Sequence, residues 1–259
     1  MSYEFIRYEK REHIAWITIN RPEVMNALHP PANQELSAIW DDFAGDAECW
    51  IAVLTGAGEK AFSAGNDLKY SAEHGMGSVT LGKGGFGGIT ARFDLFKPLI
   101  AAVNGLALGG GFEMALACDI IVAAEHARFG LPEPRVGLAA LAGGMQRLPR
   151  HVPPKVAMGM MLTGKHINAG EAYRLGLVNE VVPAQKLSAA AERWAAEILE
   201  CSPASVRATK QVGLLSQGLP LEEAMHKSYP LVSALFRSED MMEGVTAFAQ
   251  KRKPRWQGK

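Results

Sequence analysis

Short apolar runs closed by glycine or proline alternate with longer amphipathic stretches through most of this chain. FIRYEKR and IAWITIN predict two strands, the second ended by Arg21-Pro22. PPANQELSAIWDDF has helical spacing behind a proline start. WIAVLTG is a brief apolar run bounded by glycine, hence a buried strand; PLIAAVNG repeats the pattern, and DIIVAAE is a third instance. The recurring order of strand, glycine-bearing turn and helix predicts an α/β sheet stacked with helices. From about Ala184 the strands stop. AQKLSAAAERWAAEILE, PASVRATKQVGLLS and LEEAMHKSYPLVSALFR read as three successive amphipathic helices, packed on the core or on another subunit. Earlier in the chain, Ser71 to Thr90 is glycine-rich and weakly patterned, and its length suggests a mobile lid.

Composition narrows the class. A chain of 259 residues can bury one large core, or a core with an appendage. With 48% hydrophobic and 21% charged residues it reads as globular rather than disordered. Twenty-seven basic residues balance 27 acidic ones, so no global field draws the chain to nucleic acid or to a membrane. The ending KRKPRWQGK is the local exception; such a terminus is usually just solvated, with anion binding as the alternative. Cys49, Cys118 and Cys201 lie far apart with no CxxC, which fits reduced thiols. The opening MSYEFIRYEKREH is too charged for a signal peptide, and no apolar run reaches transmembrane length. A cytoplasmic location is expected.

Several familiar chemistries fail on context. GKGGFG, Gly82 to Gly87, matches GxGxxG formally, but it sits inside a loop rather than between a buried strand and a helix. The seven histidines are scattered without HExxH or another close ligand pair, so no metal is expected. No GxSxG elbow is present.

Two acids are harder to dismiss. Glu113 follows Gly109-Gly110-Gly111 and Phe112 and then runs into Met-Ala-Leu-Ala-Cys. Glycines at a helix start let backbone N–H groups approach a ligand and stabilise a developing negative oxygen. Glu113 would stand beside that oxygen on an apolar face, or would simply cap the first turn; the segment alone leaves both readings open. Glu133 lies between two prolines in ARFGLPEPRVG, and a strand and a reversal could bring it to Glu113. Paired carboxylates across a small gap suit acid–base chemistry on water. The turn Ser63-Ala64-Gly65 in EKAFSAGNDLKY could offer a second N–H to the same oxygen.

KAFSAGNDL, AAVNGLALGGGFEMALACDIIVA, ARFGLPEPRVGL and SEDMMEGVTAFAQKRKPRW together resemble the crotonase (enoyl-CoA hydratase/isomerase) superfamily, in its motif order, from about Ile14 to Trp256. Within it, GGFGGITARFDLFKPLIAAVNG and GGGFE look most like the carnitinyl-CoA dehydratase branch. The resemblance implies a crotonase (ClpP-like) α/β fold, with a core of repeated ββα units over 1–190 and a helical trimerisation region over 191–259. It implies reversible syn-addition of water to a trans-2-enoyl-CoA, with CoA carried as the substrate thioester and no separate cofactor. By motif position, Ser63 and Gly110 would supply the oxyanion N–H groups. Glu113 would deprotonate water and Glu133 would exchange a proton with Cα. Met25, Ala61, Ala64, Gly65, Asn66, Asp67, Leu68 and Leu141 would meet the substrate, joined by Phe248 and Lys251 of a neighbouring subunit in a trimer or dimer of trimers. Isomerases of the superfamily generally keep only the second acid, so both together favour hydration. Isomerisation, thioester hydrolysis and noncatalytic RNA binding are the alternatives. Ala140 and Leu141 depart from the usual Pro-Gly, and Leu141 would crowd the reacting carbons. A trimethylammonium-bearing acyl group would need Tyr70, Glu73, Phe86 or Phe93 to hold it.

Overall fold

The computed structural model describes residues 3–75 and 82–259. Strands β1 (Ile6–Arg11) and β2 (Ile14–Ile19) form an antiparallel hairpin, followed by helix α1 (Pro30–Gly45). Three similar passages come next. In each, one strand joins a large sheet, a second joins a small sheet, and a turn or helix closes the unit. They are β3 (Ile51–Gly56), β4 (Ala61–Ser63) and α2 (Leu68–His74); β5 (Leu99–Val103), β6 (Leu106–Leu108) and α3 (Gly110–Ala117); and β7 (Ile120–Ala124), β8 (Arg128–Gly130) and a 3-10 turn, Glu133–Val136. Helices α4 (Gly144–His151) and α5 (Pro154–Thr163), strand β9 (Ile167–Asn168), helix α6 (Ala169–Arg174) and strand β10 (Glu180–Val182) complete the sheets. Five helices follow: α7 (Leu187–Leu199), α8 (Pro203–Leu215), α9 (Leu221–His226), α10 (Pro230–Leu235) and α11 (Glu239–Ala249).

The large sheet runs β1-β2-β3-β5-β7-β10 and is parallel from β2 onward. The small sheet runs β4-β6-β8-β9, with its first three strands parallel. Both faces of the large sheet are covered, which is why its strands read as continuous apolar runs. One face (Ile17, Leu54, Ala101, Val103, Ile121) packs with α1, α3 and the small sheet; the other (Val53, Ile100, Ala102, Val122) packs on Leu187, Ala190, Ala191 and Ala195 of α7. The boundary expected at 190/191 therefore falls inside a helix that closes the core.

Two local expectations are corrected. The single helix expected over LEEAMHKSYPLVSALFR is broken into α9 and α10, because Pro230 disfavours helical backbone at Tyr229, which is extended at φ −118°, ψ 111°. The lid expected over 71–90 is packed structure over most of its described part. Phe86 to Thr90 are buried, Gly87 N–H donates to Asn33 Oδ1 at 2.7 Å, and Trp40 Nε1 donates to Gly87 O at 2.9 Å. Ser71–His74 extend α2, and residues 76–81 lie outside the described residues. Among the described residues no helix is long and apolar enough to cross a membrane.

Candidate active site

The three parallel strands of the small sheet end level, with Ser63 paired to Ala107 and Leu108 to Gly130. Their C-terminal ends are where α/β sheets commonly place ligands. Three turns leave from this edge. The first carries Ala64 to Asp67, the second Gly109 to Glu113, and the third Pro132 and Glu133. Residues far apart in sequence thus meet because each follows an equivalent strand.

Gly109 opens the second turn at φ +54°, ψ −128°, a conformation for glycine. A Cβ there would lie 2.9 Å from Glu133 Oε1, so glycine also makes room for that carboxylate. Gly110 begins α3, and its N–H, at the first helical position, has no acceptor within the helix. The space beyond Gly65 Cα lies 2.8 Å from Gly110 N, which puts the first and second turns in contact.

Glu113 is 3% exposed, and its Oε1 accepts the Gly144 N–H at 2.8 Å. Burial pushes its carboxyl up to about 7; the Gly144 N–H opposes the shift and the neighbouring Glu133 charge adds to it. Burial also raises Glu133, whose Oε2 is buried without a hydrogen-bond partner. A buried acceptor with no donor is costly unless a ligand or water supplies one. The two acids are held together by the fold, and the capping reading of Glu113 gives way to a carboxyl turned to the Gly144 N–H of another helix.

The oxyanion assignment changes at one position. Ser63 is wholly buried within β4; its Oγ donates to Asn26 O and accepts from Gly65 N–H. Asn66, three residues on, is half-buried. Leu28 N–H donates to Gly65 O at 2.8 Å and Leu28 O accepts Asp67 N–H at 3.0 Å. This parallel bridge uses the groups flanking Asn66, so the Asn66 N–H points the other way. The Leu28 pairing leaves the Asn66 N–H as a spare donor of the loop that the sequence motif signalled, three residues beyond Ser63.

The other expected contacts are spread over several places. Met25, half-buried Ala64 and exposed Leu68 flank Asn66, with Met25 O accepting the Ala64 N–H at 3.0 Å. Ala61 and Gly65 are buried in the supporting backbone. Asp67 is 8% exposed; it caps α2 through the Tyr70 N–H and pairs with Arg21 Nη1 at 3.1 Å, so its role is structural. Leu141, 80% exposed, lines a cavity of about 820 Å³ with Phe86, Ile89, Leu116, Ala142 and Arg147. Phe248 and Lys251 are exposed at the end of α11 and after it. Sequence reading missed Arg147 and Gly144, neither of which stands in a motif recognisable without the fold.

A profile of the family described as enoyl-CoA hydratase/isomerase matches residues 9–259. The chain is 43% identical to an (E)-benzylidenesuccinyl-CoA hydratase of Thauera aromatica, over 98% of this chain and 99% of that protein. It is 41% identical to a carnitinyl-CoA dehydratase of Citrobacter koseri, over 99% of both. Its structure is similar to that of an enoyl-CoA hydratase from Mycobacterium tuberculosis H37Rv, with a TM-score of 0.92 and 40% identity over 98% of this chain and 99% of that one.

Proposed function

The chain belongs to the enoyl-CoA hydratase/isomerase family, and we propose that it adds water to a 2-enoyl-CoA thioester, reversibly, between Glu113 and Glu133. It acts as a hydro-lyase on an acyl-CoA. The observation that carries the residue assignment is the pair of carboxyls with raised pKa, Glu113 buried and Glu133 half-buried with an orphaned oxygen, beside two spare backbone N–H groups.

In the hydration direction Glu113 is ionised and accepts a proton from water as the water oxygen bonds to C3. The C2=C3 electron pair moves toward the thioester, and the developing enolate oxygen sits between the Asn66 and Gly110 N–H groups. Protonated Glu133 then gives its proton to C2. Such preorganised N–H donors act where water is excluded, and one donor of this type is worth about 10²–10³ in rate. The reverse sequence expels water. The pair works in a singly protonated state, so apparent pKa values belong to the pair.

The acyl group differs among the named relatives. Of the side chains that could hold a trimethylammonium group, Phe86 and Phe93 line the cavity. Tyr70 instead stacks on His74 with centroids 4.0 Å apart, and Glu73 is exposed; neither lines the cavity. In this reading the CoA moiety runs along Met25, Ala64 and Leu68, beside the turn that carries Asn66.

The test is turnover of crotonyl-CoA. Glu113→Gln and Glu133→Gln should each lose about 10²–10⁴ in kcat, the usual value of one positioned acid or base, while keeping the native circular-dichroism spectrum. Near-normal hydration by both variants would sink the assignment.

A further inference from the structure

We propose that the cavity beside Glu113 receives an acyl tail ending in a carboxylate, with the Arg147 guanidinium as its counter-ion. The proposal deepens the hydratase reading and rests on it.

The cavity begins where an acyl group must leave the site. The Phe86 ring that forms one wall packs on Gly110, and Ala142 and Gly143 of another wall immediately precede Gly144, which holds Glu113. About 820 Å³ exceeds what a four-carbon acyl chain fills, so a longer or bulkier group is accommodated. Leu116 and Leu141 supply apolar surface for its body.

Charge decides what its far end is. The walls carry four cations, Arg92, Arg147, Arg150 and Lys210, against one carboxylate, Asp119. Asp119 is already held by Lys210 Nζ at 2.6 Å, and Arg92 is held by Asp41 at 2.6 Å and Asp94 at 3.0 Å. Among the described residues Arg147 and Arg150 have no ion-pair partner. Arg150 is exposed, where solvent compensates its charge. Arg147 is not so placed. It is half-buried, Nη2 donates to Thr90 O at 2.9 Å, Cζ stands 5.7 Å from the Phe93 ring centroid, and no described residue accepts from Nε or Nη1. The guanidinium lies over Gly143, where a Cβ would meet Nη1. Burial disfavours the ionised form and lowers the guanidinium pKa; the Glu113 charge opposes that shift without making an ion-pair contact. A carboxylate ligand removes that penalty and can accept two N–H groups of the fork at once. The same field disfavours a cationic acyl tail.

The test compares CoA monothioesters of 2-enedioic acids with their methyl esters at the far carboxyl, and with crotonyl-CoA as a neutral control. The wild-type enzyme should prefer the free carboxylate by at least about tenfold in kcat/KM, the effect of one charge-assisted contact. Arg147→Gln should reduce that ratio to about threefold or less, and Arg147→Lys should retain part of it. The ratio cancels any general effect of Arg147 on Glu113. Equal turnover of acid and ester by the wild type would overturn the proposal while leaving the hydratase reading intact if crotonyl-CoA is hydrated. A carboxylate preference that survives Arg147→Gln would overturn Arg147 as the counter-ion. Absence of water addition to every enoyl-CoA would overturn both readings. If Arg147→Gln fails to fold, the wild-type comparison still decides.

Discussion

Burial of the Glu113 carboxyl carries a stability penalty, and the sign of that penalty is testable. Its carboxyl is raised from 4.5 to about 7 in the folded protein, chiefly by burial. The folded state therefore binds the proton more tightly than the unfolded state. Stability contributed by the protonated group is present below about pH 4.5 and is lost as pH rises through about 7. Glu113→Gln removes the charge but keeps an oxygen for the Gly144 N–H. The variant should thus be more stable than wild type at pH 8, by up to about 3 kcal/mol, and should lose that advantage at pH 4.5. Thermal denaturation at the two pH values checks it; a variant less stable at pH 8 would contradict the assigned burial. The identity of this acid was legible in sequence because an acid among glycines and apolar residues is rare. Its partners Gly144 and Ala142 were not, since nothing in the sequence signals an N–H donated from 29 or 31 residues downstream.

At the scale of elements, the turn that carries Asn66 depends on a segment that precedes it by some 40 residues. Met25 and Asn26 both adopt left-handed backbone, φ +55° each, which is costly for residues other than glycine and persists only where surroundings enforce it. Asn26 is wholly buried. Its Oδ1 accepts the Arg21 N–H at 3.0 Å, and its Nδ2 donates to Ala57 O at 3.0 Å and Ala61 O at 2.7 Å. Asn tolerates the left-handed region and Ala does not, so Asn26→Ala removes three hydrogen bonds and adds strain. We expect a loss of about 2–4 kcal/mol, read by urea denaturation, together with a fall in kcat larger than any rise in KM, because the Asn66 N–H loses its support. An unchanged unfolding midpoint would show that the turn is held elsewhere. The strands of this region were legible from apolar runs bounded by glycine. The left-handed turn was not, because its cause is tertiary: Ala57 and Ala61 lie beyond two intervening elements.

At the scale of the whole molecule, the C-terminal helices expose what a monomer would bury. Leu221 and Met225 on α9 are each 76% exposed, Phe236 68% and Phe248 88%. Amphipathic periodicity predicted helices here, but it could not say whether their apolar faces meet the core or another chain. The structure gives α7 to the core and leaves α9 and α11 with apolar side chains uncovered. Exposed apolar groups at this density mark an association surface, and a second copy of the chain is the occupant we propose, in a trimer or dimer of trimers. Deleting the tail would be a poor test. Buried Asp240 accepts from the Gln257 N–H at 2.7 Å and from Ser202 Oγ at 3.2 Å, so α11 and the terminus also clamp α8 within one subunit. Point charges on exposed positions leave that clamp alone. Wild type should sediment as an oligomer, and Met225→Asp with Phe248→Asp should shift it toward monomer while the far-ultraviolet spectrum is retained. If Phe248 completes a neighbouring site, the monomer should also show a raised KM for CoA substrates. A wild-type chain that sediments as a fully active monomer would refute the association, and an oligomer untouched by both charges would move the interface elsewhere.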